Sequence, residues 1–398
     1  MTALKLLSTG LAVSYGAGVG GPAQAGEAWA ATDEPVVTVS ATYKADVVSI
    51  LSGGVDNGTV FADNLDIKFD ADLSRALRWG GATAHVHLLN NSGEAPNDRA
   101  GTLQGVDNIE VERQRARLYE AWIEQRFAGD AASARVGLYD LNSEFYATEA
   151  SGLLMAPAFG IGSELAATGP NGPSIFPSTA LAVRLDWRAN DALTLRGAVI
   201  NARAGVIGDP GSVDLDFDDG ALFVVEAAWH GPMALSLGAW RYSDRHDDIR
   251  DLDGFGEPLK RIAQGAYIAA ERQLSGDDDA RPAVSAFFRA GVSDGDTTSY
   301  VGGWQTGVLV QRVIPGREDS ALSVGAYQGV LSSKFRDNLR DAAIDPDRAE
   351  TSFEATFSDR VHKRLLVQPD IQFFPNPAAD SQRDPLWVAN LRFTVELN

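Results

Sequence analysis

The chain has 398 residues, 44% hydrophobic and 22% charged, with no cysteine, a net charge of −20 and a pI of about 4.6. Acidity on this scale argues against a nucleic-acid partner, which needs a basic surface, and the missing cysteines exclude disulfides, thiol chemistry and thiolate metal sites. No run of about 18 apolar residues is present, so no membrane-spanning helix is expected, but alternating β-strands give too weak a hydropathy signal to be excluded on that ground.

Residues 1–25 read as a secretory signal: Lys5, an uncharged Gly-rich stretch, then Ala23-Gln24-Ala25 as an A-x-A cleavage site. The GxGxxG match at Gly16, Gly18 and Gly21 lies inside that stretch with no βαβ unit around it, and is dismissed as a nucleotide site. Residues 26–35 form a short N-terminal segment, and 36–398 one continuous domain without a linker.

From residue 36 onward the dominant period is two. In 59–73, Phe61, Leu65, Ile67, Phe69, Ala71 and Leu73 alternate with Asn64, Asp66, Lys68, Asp70 and Asp72, so a strand here has one apolar and one charged face. In 82–90 the same period sets His85 and His87 together on one face. In 179–188 Leu181, Val183, Leu185 and Trp187 oppose Arg184, Asp186 and Arg188, and similar alternation marks 221–230, 364–374 and 387–397. Sixteen segments are expected: 43–51, 59–73, 82–90, 117–127, 133–142, 179–188, 192–202, 221–230, 232–242, 263–272, 282–292, 300–312, 320–330, 350–358, 364–374 and 387–397. Most approach the ~9–11 residues that cross a membrane as tilted strands.

The connections alternate in length. Short ones fall at 128–132, 188–191, 230–233, 313–319 and 359–363; long ones at 91–116, 143–178, 203–220, 243–262, 331–349 and 375–386. This pattern, an even strand number and aromatic residues near strand ends (Tyr43, Phe127, Trp187, Trp229, Trp387) predict an all-β transmembrane antiparallel barrel with short periplasmic turns and long outer loops. A soluble β-sandwich also alternates, but these strands are long for one. Loop 143–178 carries Leu153, Leu154, Met155, Phe159, Ile161 and Phe176, too apolar for a free surface loop, and is expected to fold into the lumen or against its wall.

Enzyme signatures are few: no HExxH or Walker loop occurs. A barrel-embedded lipase would need a Ser–His pair on the outer face, and of the five histidines His85 and His87 face inward by parity. These two invite a metal, but no third ligand is visible, so they read as polar lumen residues. The stretch 214–220 imitates a calcium loop, yet its glycine comes one place late and Val225 stands where a Glu is required. No metal or cofactor is expected. A barrel of this size with a polar interior encloses a water-filled channel, and passive diffusion follows.

At this point the chain resembles a family, the carbohydrate-selective, OprB-like porins of Gram-negative outer membranes. The resemblance is carried by TYKADVVSILSGG (42–54), DNLDIKFDADL (63–73), ATAHVHLLNNSG (82–93), LQGVDNIE (103–110), RLYEAWIEQ (117–125), VGLYDLNSEFYATEASGLL (136–154) and PSIFPSTALAVRL (173–185), with VIPGRED (313–319) and the looser IQFFPNP (371–377). It implies a sixteen-stranded barrel admitting glucose and similar neutral sugars. It also implies an arginine–glutamate constriction built by inward loops, carried here by Arg113, Arg115, Arg117, Glu120, Glu124 and Glu144. Parity adds Asp66, Lys68, His85 and Trp122 to the expected pore lining, Trp122 either stacking on a sugar ring or packing. The expected partners are sugars, outer-membrane lipid and lipopolysaccharide, and either no second copy or a homotrimer. The alternative on the same barrel is a general or ion-selective porin. Strand 117–127, with Tyr119, Ala121, Ile123 and Phe127 facing lipid, would put Arg113, Arg115 and Arg117 in the membrane if extended upstream, so these arginines are assigned to the inward-folding end of loop 91–116, with Arg117 at the junction.

Overall fold

The computed structural model describes residues 35–206, 212–276 and 282–397. The expected signal segment 1–25 and nearly all of 26–35 lie outside the described residues. Sixteen antiparallel strands close into one barrel, each paired with its chain neighbours and the last with the first. They are β1 (Val37–Ser52), β2 (Gly58–Asp72), β3 (Ala82–Gly93), β4 (Arg115–Phe127), β5 (Ala132–Tyr139), β6 (Ala180–Asn190), β7 (Leu193–Asn201) and β8 (Ala221–Trp229). The second half comprises β9 (Ala234–Leu252), β10 (Pro258–Ser275), β11 (Ala283–Ser293), β12 (Tyr300–Gln311), β13 (Ala321–Leu331), β14 (Ala349–His362), β15 (Leu365–Phe374) and β16 (Leu386–Glu396). Closure satisfies the ladder hydrogen bonds on every strand, which a membrane-embedded sheet requires. Among the described residues no helix is long and apolar enough to cross a membrane.

The apolar face of the period-two pattern points outward. Phe61, Phe69, Val136, Val183, Leu185, Phe223, Val225 and Phe353 are all exposed on the outer wall, where lipid supplies the cover that water cannot. Phe127, Trp187, Trp229 and Trp387, also exposed, stand at or near strand ends. The polar face points inward, and many of its charged groups, Arg184, Glu226, Arg289 and Arg392 among them, are buried against one another or against loops.

Two expectations need correction. Residues 243–262 are not an outer loop: β9 has 19 residues and β10 has 18, leaving only residues 253–257 to connect them. The charged residues there (Arg245, His246, Asp247, Lys260, Arg261) disguised the strands, because this part of the hairpin has no apolar face to show; it continues the ladder, pairing Arg261 with His246.

The second correction concerns β4. It begins at Arg115, upstream of the expected start, and its parity changes midway. His87 pairs with Glu120 but Leu88 pairs with Leu118, so Tyr119 is an extra residue, a β-bulge. Tyr119 consequently faces inward rather than lipid, its hydroxyl donating to Asp140 Oδ2 at 2.6 Å. Upstream of the bulge Leu118 is the exposed residue and Arg117 is buried. Arg117, expected at the junction of loop and strand, thus lies two residues inside the strand with its side chain inward, and Arg115, expected in the loop, begins the strand.

Two long connections occupy the lumen. Within residues 140–179, Leu141, Phe145, Tyr146, Leu154, Met155, Phe159 and Leu165 are nearly or fully buried. Phe159 packs edge-on against Phe287 and Tyr327, centroids 6.1 and 5.1 Å away. The wall is cut back to receive it: a Cβ on Gly325 would come within 2.6 Å of Phe159 and 2.8 Å of Leu154. Residues 94–114 lie against β13–β16, where Glu350 accepts from the backbone N–H groups of Leu103 and Gln104 and Gln372 donates to Val106 O at 2.8 Å.

Candidate functional site in the barrel lumen

The inward faces of β2–β8 carry a continuous row of paired charges. On β2 and β3, Asp70 Oδ1 lies 2.7 Å from His85 Nδ1 and Asp66 Oδ1 lies 2.8 Å from His87 Nε2. Glu120 on β4 sits opposite His87, and its Oε1 accepts from the Asp140 backbone N–H at 3.2 Å. Glu124 on the same strand accepts from Arg135 of β5 at 2.9 Å and from Arg184 of β6 at 2.6 Å. Arg184 also forks onto Glu144, Nε to Oε2 and Nη2 to Oε1 at 2.8 Å each. Arg196 of β7 donates to Asp186 at 3.0 Å and lies 3.4 Å from Glu226 of β8. The two-oxygen fork of Arg184 on Glu144 fixes both groups in one plane at the middle of the row.

Glu144 belongs to the inward loop, at its start, and joins it to this wall. Burial opposes its charge, but Arg135, Arg184 and Arg196 together hold its carboxyl below the usual carboxylate range. The Tyr139 hydroxyl donates to it as well.

The ten expected pore residues divide into three groups. Asp66, His85, Glu120, Trp122, Glu124 and Glu144 come together on this wall, with Lys68 paired to His87 in the ladder beside them. Arg117 is buried, but its guanidinium is tied to backbone, donating to Pro177 O at 3.0 Å and Arg113 O at 3.1 Å; it braces the end of the inward loop. Arg115 is half-buried at the strand start and Arg113 is exposed just upstream. Trp122 is flanked: His85 stacks on it with centroids 5.0 Å apart, and the Arg135 guanidinium lies 3.8 Å from its ring centre. Those two partners, from β3 and β5 on either side, favour the packing role over a ring face free for stacking.

Arg135, Arg184 and Arg196 were missed as site residues. Parity did set Arg184 on the polar face of its strand, but nothing local distinguishes it from Arg188 two residues on. Its role comes from the register that brings β4, β5 and β6 side by side.

The opposite wall spends its charges differently. Arg289 of β11 is fully buried and donates to four loop carbonyls: Tyr146 at 2.9 Å, Gly160 at 2.7 Å, Ala158 at 3.3 Å and Phe159 at 2.5 Å. Glu354 of β14 accepts from the backbone N–H groups of Met155 and Ala156. Gln368 of β15 donates to Leu153 O at 2.7 Å. These groups hold the loop; they do not face a solute.

Residues 56–397 match the family model described as the carbohydrate-selective porin, OprB family. Porin B of Pseudomonas aeruginosa is 21% identical, the match covering 88% of this chain and 85% of that one. A high-pH structure of Pseudomonas putida OprB superposes with a TM-score of 0.79 at 20% identity, covering 91% of this chain and 94% of that one. The outer membrane channel DcaP of Acinetobacter baumannii shares the fold more loosely, with a TM-score of 0.57 at 10% identity, covering 91% and 97%. The chain belongs to the OprB family of carbohydrate-selective porins, and is a sixteen-stranded outer-membrane channel for sugars.

Proposed function

We propose that glucose and similar neutral sugars diffuse passively along the β2–β8 wall, and that the paired arginine and carboxylate row is what selects them. The observation supporting this is the division of labour in the lumen: Arg135, Arg184 and Arg196 pair with carboxylate side chains, whereas Arg289 binds loop backbone. A sugar carries hydroxyls that both donate and accept. Planar guanidinium donors beside carboxylate acceptors replace its hydration on both counts. Opposed fixed charges also set up a transverse field, which disfavours large apolar solutes. In this reading Glu120, Glu124, Glu144, Asp66, Lys68 and His85 line the path, Trp122 stiffens it, and Arg113, Arg115 and Arg117 stand at its outer approach. The exposed apolar belt, with aromatic residues near strand ends, suits lipid of a Gram-negative outer membrane, with the outer loops toward lipopolysaccharide.

Liposome swelling tests the assignment. Glucose is expected to enter faster than a charged solute of equal size; equal rates would favour a general porin on the same barrel.

A further inference from the structure

We propose that the lumen wall holds a binding site for one divalent transition-metal ion of the zinc type, with His85 Nε2, His87 Nδ1 and Glu120 Oε2 as ligands. The third donor, invisible in the sequence, lies 33 positions beyond His87 and is brought opposite it by the β3–β4 register. The three donor atoms lie within 4.8 Å of one another. Glu120 Oε2 is 3.9 Å from His85 Nε2 and 3.8 Å from His87 Nδ1.

The surroundings orient all three toward a common point. Asp70 engages His85 through Nδ1 and Asp66 engages His87 through Nε2. A carboxylate accepts, so each of those nitrogens carries a proton, and the other nitrogen of each ring is the one turned toward Glu120, free to coordinate once it gives up any proton of its own. Carboxylate partners of this kind orient and strengthen imidazole ligands at metal centres. Glu120 is anchored by its other oxygen, Oε1, to the Asp140 N–H. Trp122 stacks on His85, and the edge-on contact between Tyr119 and His87, centroids 5.0 Å apart, fixes the second ring.

The result is an electrostatic gap. Two imidazole nitrogens and a carboxylate oxygen converge, with Glu120 beyond hydrogen-bond distance of either ring. His87 is only 5% exposed and its Nδ1 is buried without a hydrogen-bond partner. A buried polar atom left so is costly; a metal ion at the centre relieves it. Ligands about 2.0–2.1 Å from a tetrahedral ion stand roughly 3.4 Å apart, so small rotations of Glu120 and the rings suffice to close the site. Two imidazoles and one carboxylate suit Zn²⁺ or Co²⁺; Ca²⁺ and Mg²⁺ prefer all-oxygen sets. A water completes the fourth position.

The test uses the full, untagged barrel in detergent, stripped with a chelator and then offered Zn²⁺ or Co²⁺ alone. One equivalent of Zn²⁺ per chain is expected by equilibrium dialysis, and Co²⁺ is expected to give the intense visible absorption of a four-coordinate nitrogen–oxygen site. His87→Gln and Glu120→Gln should each weaken binding at least tenfold, with Asp66→Asn and Asp70→Asn weakening it less; heat-modifiable gel migration reports that each barrel has folded. Changing Asp214, Asp216 and Asp218 together to Asn should leave binding unchanged. Three results would overturn the proposal: no stoichiometric uptake, uptake undiminished in folded His87→Gln, or uptake lost with the acidic loop instead. Should His87→Gln fail to fold, the unaltered protein decides: no stoichiometric uptake, or octahedral, weakly absorbing Co²⁺, would contradict the site.

Discussion

The two walls of this barrel start from the same pattern, charged residues at alternate positions, and put it to different uses. On β2–β8 the inward charges pair mainly with one another from side chain to side chain, as in Arg184 with Glu124 and Glu144. On β11–β16 several are consumed by loop backbone: Arg289 by four carbonyls, Glu354 by two N–H groups, Glu350 by Leu103 and Gln104. Backbone groups of a loop buried in the lumen need partners, and the wall supplies them. A polar inward residue is therefore no evidence of contact with a solute until the partner of that residue is known.

The largest effect is expected on the loop-holding wall. Arg289→Ala removes four hydrogen bonds from one charged group, and such bonds contribute ~1.5–3 kcal/mol each when buried. The inward loop should loosen, and single-channel conductance should rise severalfold with entry of larger sugars; unchanged conductance and size limit would show that Arg289 does not hold the constriction. Gly325→Leu, which drives a side chain into Phe159 and Leu154, should act in the same direction.

Next comes the charge row. Arg184→Met takes the shared cation from Glu124 and Glu144 and leaves both to Arg135; the loss is bounded by the about 3–5 kcal/mol that breaking a buried pair from one side costs. The surplus of carboxylates should shift the channel toward cations, read as a change in reversal potential across a salt gradient.

The barrel was legible from period two and alternating loop length because both follow from strand geometry, and every expected strand lies within an observed one or within a few residues of it. The errors have local causes. The β9–β10 extension lacks an apolar face, so periodicity had nothing to register. The Tyr119 bulge inverts parity, and one extra residue is enough to misplace every side chain upstream of it. The site was less legible than the fold: parity places Glu120 and Glu124 on the inward face, but the partners Arg135 and Arg184 depend on which strands neighbour which, and the convergence of Glu120 on the two histidines depends on register alone.

A smaller difference separates the three arginines of the β4 approach. Arg117→Ala should disturb gating more than Arg113→Ala or Arg115→Ala, because Arg117 holds Pro177 O; its effect should appear as current noise in planar bilayers. Equal behaviour of all three would remove that distinction.

The smallest effect concerns the second lumen loop. Burial pushes the Glu110 carboxyl up to about 7, against the backbone N–H of Asn97 that favours its charge. The folded loop holds this proton where the unfolded chain does not, so its contribution to stability is greatest at low pH and falls as pH rises from about 4.5 toward 7. Protease resistance of residues 94–114 should therefore decline across that window, and Glu110→Gln should flatten the decline.

The most direct test of the division between the walls is glucose block of single-channel current, titrated side by side in the unaltered channel, Arg184→Met and Arg289→Ala. Arg184→Met should weaken glucose block while leaving conductance nearly unchanged, and Arg289→Ala should chiefly raise conductance. Glucose block that survives intact in Arg184→Met would contradict the account.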